Sequence, residues 1–353
     1  MRITEKMKSL KEYIPNVDDC KIKLDANENP FPMDEDIKKE VLSAVEKCGL
    51  SRYPDPMSKD VCESYAKVME VKESQVVAGC GSDELINIIT GFFMDKGDRV
   101  LTFEPDFSFY AFYSFLHELD IISVPKEQGV AFDADFVIKS IERFDPKMVL
   151  FSNPCNPTGG AIKSEQVKKI LESTQAMVVL DEAYMEFFGD SLVPDINEYE
   201  NLIILRTMSK AYGFAGGRVG FAVAREEIIR EIKKAKSPFN LTKLSQAAAC
   251  AILKHADKYK AQVDALTVLT RETYARLKEI EKKHPGKVTV FESSANFIYI
   301  KCARSQEIFE KLRDMSILIR AYPDGHLRVS TGLKEENDAF LDAFDAILKE
   351  TGL

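Results

Sequence analysis

The sequence lacks several patterns that define large classes of protein. It has no excess of positive charge, because 57 acidic residues outnumber 48 basic ones and give a formal net charge of −9. Proteins that bind nucleic acid normally carry a basic excess, so this balance argues against nucleic acid as a partner. Small anionic substrates stay possible, since a few well-placed arginines matter more for them than net charge.

The cysteines and histidines form no pattern typical of disulfides or metal sites. The seven cysteines are scattered, odd in number and without a C-x-x-C pair. Such usage is typical of reduced thiols in a cytoplasmic protein and argues against a disulfide framework or a zinc site. The four histidines are dispersed as well. We therefore expect a cytoplasmic protein without a metal site.

Long apolar runs and targeting signals are also missing. The first residues, MRITEKMKSLKEYIP, have no apolar core and no cleavage signal, and no apolar run approaches the length of a membrane span. We therefore expect no membrane partner. A chain of 353 residues with 45% hydrophobic and 30% charged residues is typical of a globular protein with two domains.

Between about residues 70 and 225, short apolar runs alternate with helical patterns. The strand candidates are QVVAG, RVLTF, DIISV, MVLFS, AMVVL, NLIIL and RVGFAVA. Helical segments such as SDELINIITGFFM and SEQVKKILEST lie between them. This alternation indicates βαβ units, so it predicts an α/β domain with a mostly parallel seven-stranded sheet flanked by helices.

The pattern changes after Pro238. Long amphipathic helices are predicted over roughly Lys243–His284, and two strand-like runs follow, VTVFESSANFIYIK and HLRVSTG. The N-terminal arm, up to about Pro32, has no core of its own and must pack on another part of the chain. We therefore assign residues 33–237 to a large α/β domain, and residues 1–32 and 238–353 to the N-terminal arm and a small α+β domain.

Ligands of open α/β sheets bind beyond the carboxyl ends of the strands, so the residues after each strand are candidates for a site. After the first run, Gly79 and Gly81 permit a tight turn, and Ser82 with Asp83 opens the next helix as its N-cap region. Free N–H groups at such a helix start suit a phosphate. Taken alone, an ordinary capped helix is the simpler interpretation.

Two further strand ends carry polar side chains. The turn NPCNPTGG follows MVLFS, and its Asn156 can donate an amide hydrogen bond into a cleft. Asp181 and Tyr184 follow AMVVL. A buried carboxylate there is costly unless a cation accompanies it, and in isolation a structural salt bridge is the simpler interpretation.

The segment LRTMSKAYGFAGGRVG follows NLIIL and contains Lys210. A lysine whose pKa is lowered by desolvation or nearby cations is a nucleophile that forms imines with aldehydes. Thr207, Ser209 and Arg218 supply hydroxyl and guanidinium donors for a phosphate. A phosphate site, an asparagine, an aspartate that holds a cation and an imine-forming lysine are together the groups that pyridoxal phosphate requires.

Eight motifs then occur in a familiar order: DANENPF, RYPDP, GCGSDELI, NPCNPTG, DEAYMEF, LRTMSKAYGFAGGRVG, SANFIYI and LRVSTG. In this order they resemble the pyridoxal-phosphate-dependent aminotransferases of fold type I, and most closely the histidinol-phosphate aminotransferase subgroup. The resemblance runs from about residue 10 to the C-terminus. It implies an α/β fold type I transferase with pyridoxal 5′-phosphate as its cofactor.

The resemblance implies roles for four central residues. Lys210 matches the lysine that forms an imine with the cofactor and then moves the proton between Cα and C4′. Asp181 matches the aspartate that pairs with the pyridine nitrogen. Tyr184 and Asn156 match residues that hydrogen-bond the ring oxygen, and Asn156 also faces the substrate.

The remaining cofactor positions surround the phosphate and the ring. Phe107, in EPDFSFY, matches an aromatic residue stacked on the ring, where the family often has tyrosine. Tyr53, in RYPDP, matches a tyrosine that reaches the cofactor phosphate of the neighbouring subunit, which implies a homodimer with shared active sites. The residues that match the phosphate cradle are Gly81, Ser82, Asp83, Ser209 and Arg218, with Thr207 as a further candidate.

Three positions match residues around the substrate. Arg328, in HLRVSTG, matches the arginine that holds the α-carboxylate or the corresponding anionic end of the substrate. Arg320 and Tyr13 match residues that the subgroup uses around the substrate phosphate, although Arg320 is equally well interpreted as a surface arginine. Only seven residues, AYPDGHL, separate Arg320 from Arg328, where many relatives have a longer loop. This departure leaves the substrate open.

The resemblance implies a ping-pong transaminase with a small-molecule amino donor and an oxo acceptor. For the subgroup, histidinol phosphate and 2-oxoglutarate give imidazole-acetol phosphate and glutamate. Decarboxylation of threonine phosphate and an aromatic or broad-specificity aminotransfer are alternatives on the same scaffold. A non-catalytic, cofactor-binding relative is disfavoured, because the lysine, the aspartate, the asparagine and both arginines are all present.

Overall fold

The computed structural model describes residues 3–10, 12, 19–126 and 132–350. The strands in these residues are β1 (Ile22–Lys23), β2 (Val76–Cys80), β3 (Arg99–Glu104), β4 (Asp120–Pro125), β5 (Met148–Ser152), β6 (Met177–Asp181), β7 (Leu202–Thr207), β8 (Val219–Ala224), β9 (Val288–Val290), β10 (Phe297–Cys302), β11 (Ile317–Leu318), β12 (Arg320–Tyr322) and β13 (His326–Ser330). The α-helices are α1 (Glu5–Ser9), α2 (Glu35–Glu46), α3 (Lys59–Met69), α4 (Gly81–Phe92), α5 (Phe109–Leu116), α6 (Ala134–Phe144), α7 (Ser164–Glu172), α8 (Met185–Phe188), α9 (Glu226–Ala235), α10 (Lys243–Leu253), α11 (Ala256–Lys283), α12 (Ser305–Asp314) and α13 (Lys334–Glu350).

The large sheet has seven strands in the order β2-β8-β7-β6-β5-β3-β4. Strands β4, β3, β5, β6 and β7 are parallel neighbours, whereas β8 runs antiparallel to both β7 and β2. Each of the seven apolar runs identified in the sequence forms one of these strands. The prediction of a mostly parallel, seven-stranded α/β sheet is therefore confirmed.

Both faces of this sheet are buried, because helices cover each side. Along β7, Leu202 and Ile204 belong to one core cluster, and Ile203 and Leu205 belong to the other. Every residue of β5, β7 and β8 is buried. Central parallel strands covered on both faces need continuous apolar runs of this kind, which explains why they stand out in the sequence.

The second sheet has four antiparallel strands in the order β12-β13-β10-β9. Helices α12 and α13 and the C-terminal part of α11 pack against it around a core of their own. The predicted long helical region is divided at Lys254 and His255 into α10 and α11. Helix α10 and the first half of α11 contribute to the larger core, for example through Ile252 and Leu266, beyond the predicted domain boundary at residue 237. That boundary stays a prediction.

The N-terminal arm packs first against the small domain and then contacts the large domain. Strand β1 pairs in parallel with β11, where Ile22 lies opposite Ile317. Leu24 is buried in the smaller core, and its backbone bonds Leu318 and Ser330. Further along, Asn29 donates from its side chain to the carbonyl of Ala211 in the large domain. In the described part of the chain, no helix has the length and apolar content needed to cross a membrane.

Candidate active site

A cavity of about 480 Å³ lies beyond the carboxyl ends of β3, β5, β6 and β7. Most of the residues singled out in the sequence line it, although they come from distant parts of the chain. These residues are Gly81, Ser82, Asp83, Phe107, Asn156, Asp181, Tyr184, Thr207, Ser209, Lys210, Arg218, Arg320 and Arg328. The strand ends therefore converge on one site, as expected for an open α/β sheet.

Lys210 follows β7 and projects into this cavity. Its Nζ donates a hydrogen bond of 2.8 Å to the carbonyl oxygen of Ala26. Burial, followed by the nearby Arg328 guanidinium, lowers the pKa of Lys210 to about 8. A larger neutral fraction near neutral pH makes the amine a better nucleophile and proton acceptor than an ordinary lysine.

Asp181 ends β6 and is buried. Its carboxylate accepts hydrogen bonds from the Tyr110 hydroxyl at 2.8 Å and from the Ala183 amide at 3.0 Å. Both donors are neutral, and no basic side chain among the described residues contacts the carboxylate. Burial therefore raises the pKa of Asp181 to about 7. The structural salt bridge considered for this position is instead made by the next residue, Glu182, which pairs with Arg206 at 2.8 Å.

Tyr184 and Asn156 contact the segments that close the cavity. The Tyr184 hydroxyl accepts a hydrogen bond of 3.0 Å from the side-chain amide of Asn27. The Asn156 carbonyl oxygen accepts from Nη1 of Arg328 at 2.5 Å. Asn156 lies in the turn after β5, and both of its Asn-Pro steps, Asn153-Pro154 and Asn156-Pro157, have cis peptide bonds. Both predicted polar groups therefore face the cavity that holds Lys210 and Asp181.

The start of α4 differs in detail from the sequence prediction. The helix begins at Gly81 with Cys80 as its N-cap residue, so Ser82 and Asp83 lie in the first turn and do not cap it. The side chain of Glu84 reaches back and accepts from the amide of the N-cap residue Cys80 at 2.6 Å, while no side chain of the N-cap residue bonds the first-turn amides. N–H groups in a first helical turn have no partner within the helix, so they can bind an anion.

Arg218 lies opposite this helix start. Its guanidinium contacts the Asp83 carboxylate at 3.0 Å and Oγ of Ser209 at 3.5 Å. Two glycines make the close approach possible. A Cβ at Gly81 would lie 2.6 Å from Nη2 of Arg218, and a Cβ at Gly220 would lie 2.3 Å from the Ser82 amide nitrogen. The result is a concave cluster of hydroxyl, amide and guanidinium donors.

Thr207 and Phe107 complete the walls of the cavity. Thr207 uses its hydroxyl oxygen within its own turn, because it accepts from the Ser209 amide at 3.1 Å. The ring of Phe107 meets the ring of Tyr110 edge to face, with centroids 5.5 Å apart. An aromatic wall thus faces the part of the cavity between Asp181 and the helix start.

Arg328 and Arg320 mark the other end of the cavity. They are direct partners across the antiparallel pair β12-β13, so their side chains leave the sheet on the same face. Arg328 is 8% exposed, and it also donates to the Asp25 carbonyl. Among the described residues, its buried Nε has no hydrogen-bond partner. An unpaired buried donor of this kind fits an anionic ligand group.

One predicted residue lies elsewhere, and another is outside the described part of the chain. Tyr53 is 79% exposed and stacks on Phe239 with ring centroids 4.5 Å apart, away from the cavity of its own chain. Tyr13 lies outside the described residues. Two contributors were not predicted, namely Tyr110 and Asn27, although they belong to the quoted segments EPDFSFY and DANENPF. Tyr110 follows Phe107 by three residues at the start of α5, and this spacing was the available signal.

Comparison with known families agrees with this geometry. The family model "Aminotransferase class I and II" matches residues 19–344. The chain therefore belongs to the class I and II aminotransferases, which are pyridoxal-phosphate-dependent enzymes.

Individual relatives are similar along their whole length. The chain is 36% identical over 351 residues to a histidinol-phosphate aminotransferase of Thermoanaerobacter sp. (strain X514), with 98% of each chain covered. It is 37% identical over 335 residues to that of Clostridium novyi, covering 94% of this chain and 93% of the relative. Its fold matches the histidinol-phosphate aminotransferase of Sinorhizobium meliloti in complex with pyridoxal-5′-phosphate, with a TM-score of 0.87, 24% identity, and 99% and 98% of the two chains covered.

The residues present fit this cofactor. The Asp181 carboxylate, which has neutral donors around it and a pKa raised by burial, fits a cationic ring nitrogen. Without a side chain, Gly81 and Gly220 let the Arg218 guanidinium and the Ser82 amide approach closely at the cavity wall, and such donors fit an anion. Lys210 lines the same cavity, and its lowered pKa favours bond formation to an aldehyde.

Proposed function

We propose that this aminotransferase transfers the amino group of histidinol phosphate to 2-oxoglutarate, giving imidazole-acetol phosphate and glutamate in histidine biosynthesis. The observation that carries the proposal is the end-to-end similarity to relatives of that one name, at 36% identity over 98% of both chains. The two arginines at the far end of the cavity support it, because the substrate carries a phosphate.

The cofactor, when bound, supplies an electron sink for negative charge at the substrate Cα. We assign to Lys210 the binding of the cofactor and the transfer of a proton at Nζ, which its pKa of about 8 supports. Asp181 holds the ring nitrogen in its protonated form, because a buried carboxylate is stabilised by a cation. Tyr184 and Asn156 orient the ring oxygen by hydrogen bonds, and Phe107 supports the face of the ring.

Phosphate binding is assigned to the start of α4 and to the segment after β7. The donors assigned to it are the backbone amides of Ser82 and Asp83 and the guanidinium of Arg218, which line the cavity together. Ser209 adds its hydroxyl, and Thr207 orders the turn that carries it. Asp83 must release Arg218 in part when a phosphate competes for the guanidinium.

Substrate binding is assigned to Arg328 and Arg320. The unpaired Nε of Arg328 supports contact with one anionic end of the substrate. Arg320, its cross-strand neighbour, is assigned to the phosphate of histidinol phosphate and, in the other half-reaction, to the second carboxylate of glutamate, together with Tyr13, which lies outside the described residues. Two guanidinium groups in one partly enclosed cavity favour a substrate with more than one negative charge.

We propose a homodimer with shared active sites in the cytoplasm. The aromatic pair Tyr53 and Phe239 supports the dimer, because the Tyr53 ring is 79% exposed and does not line the cavity of its own chain. Tyr53 then reaches the cofactor phosphate of the partner. All seven cysteines are free thiols, which supports a reducing compartment.

A half-reaction screen tests the substrate. Glutamate, histidinol phosphate, O-phosphothreonine, phenylalanine and aspartate are added separately to the cofactor-loaded protein, and the change in the visible absorption band is followed. Glutamate and histidinol phosphate should convert the band fastest. Carbon dioxide release from O-phosphothreonine without consumption of a keto acid would identify a decarboxylase instead, and fastest conversion by phenylalanine or aspartate would identify a broad or aromatic specificity.

A variant pair tests the assignment of Lys210. The Lys210→Ala enzyme should lose the visible band of the lysine-bound cofactor and its turnover with histidinol phosphate and 2-oxoglutarate. Lys147→Ala removes an exposed lysine at the opposite edge of the sheet and should leave both unchanged. Turnover retained by Lys210→Ala would contradict the assignment.

A further inference from the structure

A buried ion pair borders the cavity, whose lining includes Asp106, and it has no role in the assignments above. Asp106 follows β3 and Lys126 follows β4, and their side chains are 3% and 1% exposed. Nζ of Lys126 lies 3.6 Å from Oδ2 of Asp106. Burying two charges costs more free energy than their attraction returns unless further hydrogen bonds satisfy both groups, so the surroundings of the pair matter.

Both groups are satisfied by hydrogen bonds. Asp106 accepts from the Phe107 amide at 2.8 Å, from the Ser152 amide at 3.3 Å and from the Ser152 hydroxyl. Lys126 donates to the Pro105 carbonyl at 2.8 Å and to Sγ of Cys155 at 2.9 Å. Donors surround the carboxylate and acceptors surround the ammonium group, so these hydrogen bonds favour the ionised form of both partners, while burial keeps the pKa of Asp106 above its usual value.

The hydrogen bonds of Asp106 extend to both walls of the cavity. On one side, its neighbour Phe107 lines the cavity, and the Phe107 carbonyl accepts from the amide of Tyr110, the hydroxyl partner of Asp181. On the other side, Oγ of Ser152 accepts from the Asn156 amide at 3.1 Å while donating to Asp106. One carboxylate therefore joins the turn after β3 to the turn after β5.

We propose that Asp106, compensated by Lys126, is a positioning residue of the cofactor site: it fixes the turn that carries Phe107 and Tyr110 relative to the turn that carries Asn156. Asp106 lines the cavity, and the role proposed for it is exerted through the residues that its hydrogen bonds hold. The inference rests on the assignment of the cavity to the cofactor and is independent of which amino acid or phosphate ester is the substrate.

Two single variants test this role. Asp106→Asn keeps the shape of the side chain but removes the charge, and Ser152→Ala removes only the bridging hydroxyl. In both, the Kd for pyridoxal phosphate should rise by about tenfold, the size expected for a lost charge-assisted hydrogen bond. The visible circular dichroism of the bound cofactor should fall, because this signal depends on how firmly the ring is held in its asymmetric surroundings.

A double variant separates positioning from stability. Asp106→Asn leaves the Lys126 ammonium group buried without its counter-ion, so the midpoint of thermal unfolding should fall. Removing both charges, in Asp106→Asn with Lys126→Met, should restore the midpoint. If positioning is the role of Asp106, the double variant keeps the weak cofactor binding and the low circular dichroism. If both recover together with the midpoint, the pair is only structural and the proposal is wrong.

The control is an ion pair at the amino ends of β3 and β5, the two strands whose following turns Asp106 joins. Asp98 precedes β3, Lys147 precedes β5, and they pair at 2.6 Å. Asp98→Asn should leave the cofactor Kd and the circular dichroism unchanged. Unchanged values in both Asp106→Asn and Ser152→Ala would overturn the positioning role. These readouts need no substrate, so a failed substrate assignment would not alter them.

Discussion

Replacing Asp181 by asparagine should stabilise the cofactor-free protein while weakening the binding of the cofactor. The carboxylate is buried, and its contacts among the described residues are the neutral Tyr110 hydroxyl and Ala183 amide. Burial accordingly raises the pKa of Asp181 from 3.8 to about 7. A buried carboxylate that is suited to a bound cation therefore lowers the stability of the protein when no cation is bound.

The sign and size of the effect follow from proton linkage. The folded, cofactor-free protein binds the Asp181 proton more tightly than the unfolded chain, so the free energy of unfolding falls as the pH rises from 3.8 to about 7. Over an interval of about 3 pH units, the free energy of unfolding falls by about 4 kcal/mol, and this loss is complete at pH 8. Asparagine has no charge to bury, but it costs about 1 kcal/mol where the Tyr110 hydroxyl loses its acceptor. The net gain at pH 8 is about 3 kcal/mol.

Urea unfolding of the cofactor-free proteins, at equal protein concentration, measures this gain. The advantage of Asp181→Asn over the parent should grow by about 3 kcal/mol between pH 5 and pH 8, since the parent ionises Asp181 over this interval. In the same variant the Kd for pyridoxal phosphate should rise by at least roughly thirtyfold, because a buried charge pair loses one partner.

A surface carboxylate provides the control. The hydrogen bond from Lys147 lowers the pKa of Asp98, so Asp98→Asn should destabilise the protein slightly at pH 8 instead of stabilising it. Two results would contradict this reasoning. Asp181→Asn could destabilise the cofactor-free protein at pH 8, or its gain in the free energy of unfolding over the parent could be the same at pH 5 and pH 8.

Three further variants test separate parts of the site. Gly81→Ala places a Cβ 2.6 Å from Nη2 of Arg218 at a φ of +75°, so the affinity for pyridoxal phosphate should fall by about tenfold while that for pyridoxal, which lacks the phosphate, changes little. Arg328→Met removes a cation that lowers the pKa of Lys210, so the pH midpoint of the visible cofactor band should move upward, and an unmoved midpoint would contradict the coupling. Tyr53→Phe keeps the ring of an exposed residue and removes its hydroxyl, so thermal stability should stay constant while the cofactor Kd of the dimer rises by about tenfold.

The large sheet could be predicted from the sequence because burial on both faces imposes a local pattern. Strand β7, Leu202–Thr207, has no exposed residue, and its composition alone distinguishes it from the helices around it. The runs VTVFESSANFIYIK and HLRVSTG also predicted strands β9, β10 and β13 of the small domain, but β11 and β12 left no such signal. Strand β11 has two residues, and β12 has three that are only partly buried, so neither has an apolar run long enough to recognise.

The site could be predicted where its residues directly follow strands. Asp181 and Lys210 were found because parallel strands end at the same edge, so their next residues meet. Asn27 and Tyr110 were missed because their roles depend on distant pairings, the first with Tyr184 across 157 positions and the second with Asp181 across 71. The pair of Asp106 and Lys126 depends on the register of β3 against β4, which no local pattern reveals.

The N-terminal arm can complete the active site only after the C-terminal part of the chain has been translated. Asn27 bonds Ser330, and the Asp25 carbonyl accepts from Arg328, contacts that each join residues 303 positions apart. At about 5–20 residues per second, the ribosome makes the second partner of each pair roughly 15 to 60 s after the first. Strand β1 likewise cannot form its hydrogen bonds until its partner β11 has been translated. Arg328 and Ser330, which bond the arm, are translated well after the lysine and the phosphate cradle, so the site is fully enclosed only when the C-terminal part of the chain has been made.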